Sequence, residues 1–140
     1  MSSIQEALFN VLKSDPSIAS KVEYEPGKFH IYPINLPEGV IDQKDSNYFI
    51  AYHKVSNPKK HDIDLENSVI QIDVLARAYR LAEELAEDIK RLLERFKGNL
   101  GGKRDVKNVK LVSQTELRHK DTYLYHFPLQ FRFKFYGNNI

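Results

Sequence analysis

The sequence contains no cysteine, so disulfide bonds, thiol catalysis and cysteine-ligated zinc sites are excluded. This absence is compatible with a reducing compartment but does not demonstrate one. No apolar run approaches the ~20 residues that a membrane-spanning helix needs. Residues 1–6 lack the basic and apolar regions of a signal peptide. We therefore expect a soluble protein that is made inside the cell and has no membrane partner.

The chain also has little excess charge. Its net charge of +2 over 140 residues does not indicate a nucleic-acid-binding protein unless a basic patch is visible. The hydrophobic content of 41% and the charged content of 29% are typical of a folded globular protein. From the length, we predict that residues 1–140 form a single domain.

Patterns typical of catalytic and metal sites are missing as well. The five histidines share no metal-ligand spacing, so we interpret them as solvated or hydrogen-bonded side chains. Residues 98–103 resemble a phosphate-binding loop only superficially, because the glycine spacing is too short and the segment follows a predicted helix. Asp62, Asp64 and Glu66 alternate without the glycine and further carboxylates of an oxygen-ligand loop. We therefore predict a non-enzymatic protein without metal or cofactor.

Residues 68–96 give the clearest local prediction, a buried strand that leads directly into an amphipathic helix. Ile70, Ile72 and Val74 alternate with polar residues, as in a strand with one buried face. From about Tyr79, apolar residues recur at helical steps and form a continuous stripe. The stripe consists of Ala82, Leu85, Ala86, Ile89, Leu92, Leu93 and Phe96. We predict that Gly98 ends this helix.

The other patterns predict a first helix, a helical turn opened by Asp15 and Pro16, and further strands. The helix covers residues 4–13, the strands cover 29–32, 48–56, 109–117 and 123–136, and the loops cover 33–47, 57–62 and 98–105. Because Pro128 cannot donate to a sheet ladder, we expect an edge position or a bulge there. The prediction is a two-layer α+β fold, with a mainly antiparallel sheet of four to five strands and two helices packed on one face.

Aromatic residues are concentrated in the last predicted strand, where they are interleaved with Arg132 and Lys134. Aromatic residues on an exposed sheet can stack nucleic-acid bases. Here they share one face with Leu129, whereas the charges share the opposite face, so a core face and a solvent face are favoured. The alternative function is a small nucleic-acid-binding module that uses basic loops and this strand. An enzyme of unrecognised type is a third hypothesis, but nothing in the sequence points to its pocket.

Four segments, taken in chain order, resemble the tail terminator or tail-to-head joining proteins of long-tailed bacteriophages and prophages. They are residues 4–13 with the Pro-containing turn, residues 29–56 with their acidic Pro-rich loop, residues 69–93, and the aromatic residues 124–136. The resemblance covers nearly the whole chain and rests on core and turn residues. Residues 98–108, which vary freely within the family, depart from it.

The resemblance implies a subunit without enzymatic activity that assembles into a homo-hexameric ring. Such a ring caps the tail tube at its final length and then docks to the head-tail connector. The implied partners are copies of this chain, the tail tube protein and the connector protein, while DNA only passes through the lumen. The implied location is the virion tail, assembled in the cytoplasm of a bacterial host. A sheet-edge strand such as 123–136 would pack across subunit boundaries, and a repeated heterologous contact closes a ring.

Docking contacts are expected on loops, because a rigid scaffold usually presents its binding residues there. In order of preference, the candidates are Lys59, Lys60, His61 and Asp62 in residues 56–67, then Glu38 and Asp42 in residues 33–47, then Lys103, Arg104 and Lys107. An ordinary solvated loop is an equally good interpretation for any one of these residues.

Overall fold

The computed structural model describes residues 3–34, 36–37, 39–40, 46–56, 65–102, 104–120 and 124–136. The helices are α1 (Ser3–Ser14), α2 (Pro16–Val22) and α3 (Tyr79–Leu93). The strands are β1 (Glu23–Glu25), β2 (Lys28–Phe29), β3 (Ile31–Pro33), β4 (Tyr48–Ser56), β5 (Leu65–Ala76), β6 (Gly98–Leu100), β7 (Arg104–Gln114), β8 (Leu117–His119) and β9 (Leu124–Tyr136). None of the helices in the described residues is long and apolar enough to span a membrane.

Seven of the strands in the described residues form one sheet. Their order is β3-β4-β5-β9-β7-β6, with β8 paired to β9 beyond the end of β7, and β1 and β2 form a separate hairpin. The β3–β4 pair is parallel, and the other pairs in the sheet are antiparallel. The predicted α+β class with a mainly antiparallel sheet is therefore confirmed. The sheet is larger than expected because β6 and β8 have only three residues each, too few for a periodic pattern.

All three helices pack on the same side of the sheet. The apolar stripe of α3 and the inward residues of α1 and α2 share one core with the alternate residues of β4, β5 and β9. The additional helix, α2, is the predicted helical turn. Its capping residue Asp15 accepts a hydrogen bond from the Ile18 N–H at 3.1 Å, and Pro16 occupies the first turn.

An edge position or a bulge was expected at Pro128. The strand β9 lies inside the sheet, between β5 and β7, and its pairing with β5 runs through Pro128 without a register shift, so both alternatives are wrong. The Pro128 carbonyl accepts a hydrogen bond from the Thr115 N–H at 3.1 Å. In a strand, the N–H and C=O of one residue point to the same side, so the missing donor of Pro128 faces this neighbour. β7 ends at Gln114 and β8 begins at Leu117. Pro128 is thus tolerated in an inner strand because it faces the residues between β7 and β8, where no regular ladder requires a donor from it.

Two further predictions near residue 98 are also wrong. The helix α3 ends at Leu93, and the left-handed residue after it is Arg95 (φ 68°) rather than Gly98. Gly98 begins β6, so the predicted loop 98–105 is largely the β6–β7 hairpin. Its turn packs against α1, where Gly101 (φ 56°) has no room for a side chain because a Cβ would collide with the Ala7 carbonyl.

The other side of the sheet carries a second, smaller core. It consists of Val40, Phe49, Leu75 and Leu124, with Tyr32 and Leu36 packed against it. Among the described residues, this cluster covers only one end of that side. Further along the sheet, the same side is lined by polar and charged residues.

Candidate interaction surface

We call the side of the sheet that faces away from the helices the outer face. Its residues follow from the period of two in a strand. Since Ile72 of β5 and Phe131 of β9 are fully buried toward the helices, their neighbours Gln71, Asp73 and Arg132 belong to the outer face. The outer face contains a hydrogen-bonded polar network and, next to it, a group of cations.

The centre of the network is Asp73, which is only 8% exposed. One of its oxygens, Oδ1, accepts a hydrogen bond from His126 Nε2 at 2.7 Å and another from Gln71 Nε2 at 2.8 Å. The Gln71 side-chain oxygen in turn accepts a hydrogen bond from Gln130 Nε2 at 2.9 Å. These bonds join β5 to β9 across the outer face.

Two more histidines extend the network. His119 Nε2 lies 2.8 Å from His126 Nδ1, and His53 Nδ1 lies 3.9 Å from the second oxygen of Asp73. Because His126 donates to Asp73 through Nε2, its neutral form accepts through Nδ1, and His119 is then the donor. The sequence interpretation of these three histidines as hydrogen-bonded or solvated is therefore confirmed. Within the described ranges, no group of three or more histidine and acidic side chains is arranged to hold a metal ion.

The environment of Asp73 favours its charged form. Burial raises the pKa of Asp73, but hydrogen bonds from His126 and Gln71, together with the positive potential of His126 and His53, outweigh burial and lower this pKa below its ordinary value of 3.8. The carboxylate is thus ionised at neutral pH and fixes the orientation of both donors. We interpret the network as a clamp between β5 and β9.

A second buried polar site contains His30, which is 1% exposed. Its ring nitrogens lie 2.7 Å from the Tyr32 hydroxyl and 2.8 Å from the Ser46 hydroxyl, and its ring stacks on Tyr24. Burial lowers the pKa of His30 below 6.5, so the imidazole is neutral. Burial, with a contribution from Tyr24, raises the pKa of Tyr32 to about 12. This site ties β3 to residue 46 and has a structural role.

A shallow apolar groove of about 510 Å³ runs between α1 and the edge strand β3. Phe9, Ile31 and Pro33 supply much of its lining. Tyr52 donates a hydrogen bond to the Gln5 carbonyl at 2.9 Å, and burial raises the pKa of Tyr52 to about 12. The tyrosine is therefore a neutral structural group that holds α1 against the sheet.

The cations of the outer face continue around the part of β7 that extends beyond its pairing with β6. A groove of about 470 Å³ is lined there by Glu94, Arg95, Lys97, Asn108, Val109 and Lys110. Lys110 lies directly opposite Arg132, and Asn108 lies opposite Lys134. Lys107 is the extra residue of the bulge between Val106 and Asn108. We call Arg95, Lys97, Lys107, Lys110, Arg132 and Lys134 the β7 basic surface.

The predicted docking residues are only partly within the described ranges. Lys59, Lys60, His61, Asp62, Glu38, Asp42 and Lys103 lie outside the described residues and stay predictions. Arg104 begins β7 opposite Leu100. Lys107 is exposed and belongs to the β7 basic surface. This surface could not be recognised as a group in the sequence. Its members come from three separate segments, which are brought together by the pairing of β7 with β9 and by the contact of the segment after α3 with β7.

No protein-family model matches the chain, and no curated protein matches its sequence. Among solved structures, the chain is similar to a chain from the virion of a native gene transfer agent particle, with a TM-score of 0.71 and 15% identity. That match covers 96% of this chain and 95% of the other. A second similar structure, of a protein without a functional name, has a TM-score of 0.54 and 14% identity over 100% and 99% of the two chains. At such identities, the similarity shows a shared fold.

Proposed function

We propose that the protein is a non-enzymatic structural component of a phage-related virion, where it forms a ring that caps the tail tube and joins it to the head connector. The observation that carries this proposal is the match, over 96% of the chain, to a chain from a gene transfer agent virion. The resemblance of the core and turn segments to tail terminator proteins supports the same role. Tail assembly in a bacterial host, further copies of this chain, the tail tube protein and the connector protein belong to the proposal.

The sheet offers suitable contacts for a ring. Since β9 is an inner strand, it does not provide the subunit boundary expected from the sequence. The two ends of the strand order are β3 and β6, which lie at opposite edges of the sheet. Edge strands present unpaired N–H and C=O groups. Two different edges of one subunit support a heterologous contact, which closes a ring when the rotation between subunits allows it.

The test is the native mass of the purified protein over a concentration series, with negative-stain images of the same samples. A six-membered ring with a central hole is the expected result. If the protein is monomeric at every concentration, assembled tail tubes are added and their ends are imaged. Rings on the tube ends then support the proposal, whereas tubes that stay uncapped contradict it.

A further inference from the structure

We propose that the β7 basic surface binds the phosphate backbone of duplex DNA. The first argument is that its charges are uncompensated. Within the described part of the chain, none of its six cations forms an ion pair with an acidic side chain. Glu94 is the one acidic residue among the six that line the groove. Positive charge on a protein of small net charge is therefore concentrated in one place.

The cations of α3 and its neighbours behave differently. Lys90 pairs with Glu87 at 2.7 Å, and Arg80 pairs with Glu84 at 2.8 Å. Lys21, on α2, pairs with Asp88 of α3 at 2.8 Å. These three cations are thus neutralised at α3, whereas the cations around β7 have no acidic partner among the described residues, which is a distribution that suits an anionic partner.

The spacing of the cations fits an extended polyanion. Lys110 and Arg132 are opposite each other on neighbouring strands, and Lys134 follows Arg132 on the same face two residues along β9. Two residues of a strand span about 6.6–6.8 Å. The surface also continues from the sheet into the groove at the edge of β7. Charges spread over a sheet and its edge contact several phosphates of one backbone rather than a single small anion.

The aromatic residues favour a duplex over a single strand. Proteins that bind single strands stack bases on exposed aromatic side chains. The rings of Phe131, Phe133 and Phe135 alternate with the outer-face cations of β9, but all three are buried toward the helices. The core face expected for these aromatic residues is therefore confirmed, and their rings are not available for the stacking that the alternative function would use. The surface therefore has cations but none of these aromatic rings on which bases could stack. Such a surface fits duplex DNA, which exposes its phosphates on the outside.

The left-handed backbone conformation of Arg95 also indicates that this surface has a function. The position after the C-terminus of a helix is usually glycine when φ is positive, yet here it is arginine with φ 68°. The Arg95 N–H donates to the Val109 carbonyl at 2.9 Å, which fixes this residue against β7. A strained non-glycine residue persists where the surrounding structure holds it, and such residues cluster at functional sites.

The experiment measures binding of a fluorescent duplex of mixed sequence to the full chain over a series of salt concentrations. The logarithm of the affinity falls with the logarithm of the salt concentration by about 0.9 per neutralised phosphate. Six contacts predict a loss of about 10³-fold between about 50 and 200 mM salt. The double variant Lys110→Gln, Arg132→Gln is expected to lower the slope by about 1.8, which leaves a loss of about 10²-fold.

The matched control is the double variant Lys28→Gln, Arg80→Gln, which removes the same charge at exposed residues away from β7. Its slope should equal that of the natural sequence. The proposal is overturned if both double variants lower the slope equally, if a single strand binds more tightly than the duplex at every salt concentration, or if polyglutamate binds and duplex DNA does not. The proposal does not depend on the assembly of a ring. A variant that still forms rings, but whose DNA affinity no longer depends on salt as that of the natural sequence does, separates the two functions.

Discussion

The two sides of the central sheet are made by the same strands, yet they have opposite characters. On the helix side, Phe127, Phe131 and Phe133 of β9 are fully buried in the main core. On the outer face, the alternate residues Gln130, Arg132 and Lys134 belong to the polar network or to the β7 basic surface. Successive residues of β9 therefore contribute in turn to stability, on the helix side, and to interaction, on the outer face.

The helix side of the sheet supplies stability, and the outer face supplies groups for interaction. The helix side is complete, because its apolar stripe and its ion pairs are satisfied within the chain. An exposed ion pair such as Arg80–Glu84 contributes only about 0–1 kcal/mol, so its main effect is neutralisation. The outer face instead keeps cations available.

Replacing an aromatic residue on the helix side should cost the most. Phe131 is fully buried, and Phe131→Ala is expected to lower the free energy of unfolding by about 3–5 kcal/mol, because it removes buried area and leaves a cavity. Chemical denaturation checks this value. The control is Arg132→Ala, one residue along on the outer face, which should change the stability by about 0.5 kcal/mol or less. Comparable losses in both variants would contradict the division between the two sides.

The polar network is the exception on the outer face, because it is buried. Asp73→Ala leaves the donors of His126 and Gln71 without their acceptor, and an unsatisfied buried donor costs about 1–3 kcal/mol. We therefore expect a loss of that size by chemical denaturation. Asp73→Asn retains an acceptor oxygen and should lose less. If Asp73→Ala is as stable as the natural sequence, the network is not a clamp.

The pH dependence of stability should show the contribution of the Asp73 carboxylate. The folded pKa of Asp73 is below 3.8, so its contribution to stability is complete above that value and is lost as the pH falls through the folded pKa. The stability advantage of the natural sequence over Asp73→Asn should therefore shrink only at pH values below about 3.8. An advantage that disappears already near neutral pH would show that another group controls it.

His30 gives a smaller effect in a different pH range. Its folded pKa is below 6.5, so the unfolded chain takes up a proton first as the pH falls, and stability decreases below pH 6.5. Asn in place of His30 cannot titrate in this way. The stability difference between the natural sequence and His30→Asn should therefore narrow as the pH falls from 6.5. A difference that widens over this range would mean that the folded imidazole is charged.

Much of the fold was predictable because long segments repeat one period. The strand over residues 48–56 and the apolar stripe of α3 appear as expected. The errors have local causes. β6 and β8 are too short to show a period. An edge position or a bulge was expected at Pro128, because the interruption between β7 and β8 that it faces cannot be seen in the sequence of β9.

The candidate surface was less predictable than the fold. Arg132 and Lys134 were correctly assigned to the face opposite the aromatic residues, but nothing in the sequence pairs them with Lys110 or with Arg95. The proximity of these four cations depends on the order of the strands and on the residue at which α3 ends. Helix propensity and spacing favoured a stop at Gly98, whereas the backbone turns at Arg95 and places this cation beside β7.

Arg95 therefore offers the finest test of the division between stability and interaction. A non-glycine residue in the left-handed region costs roughly 1–2 kcal/mol, and glycine loses about 0.5–1 kcal/mol through its greater freedom in the unfolded chain. Arg95→Gly should then raise the free energy of unfolding by about 0.5–1 kcal/mol and lower the salt slope of DNA binding by about 0.9. Lys97→Gln, which removes a charge without this backbone relief, should lower the slope without raising stability. A DNA-binding residue would show both the rise in stability and the fall in the salt slope. If Arg95→Gly is more stable but its salt slope of DNA binding is unchanged, Arg95 has no role in DNA binding.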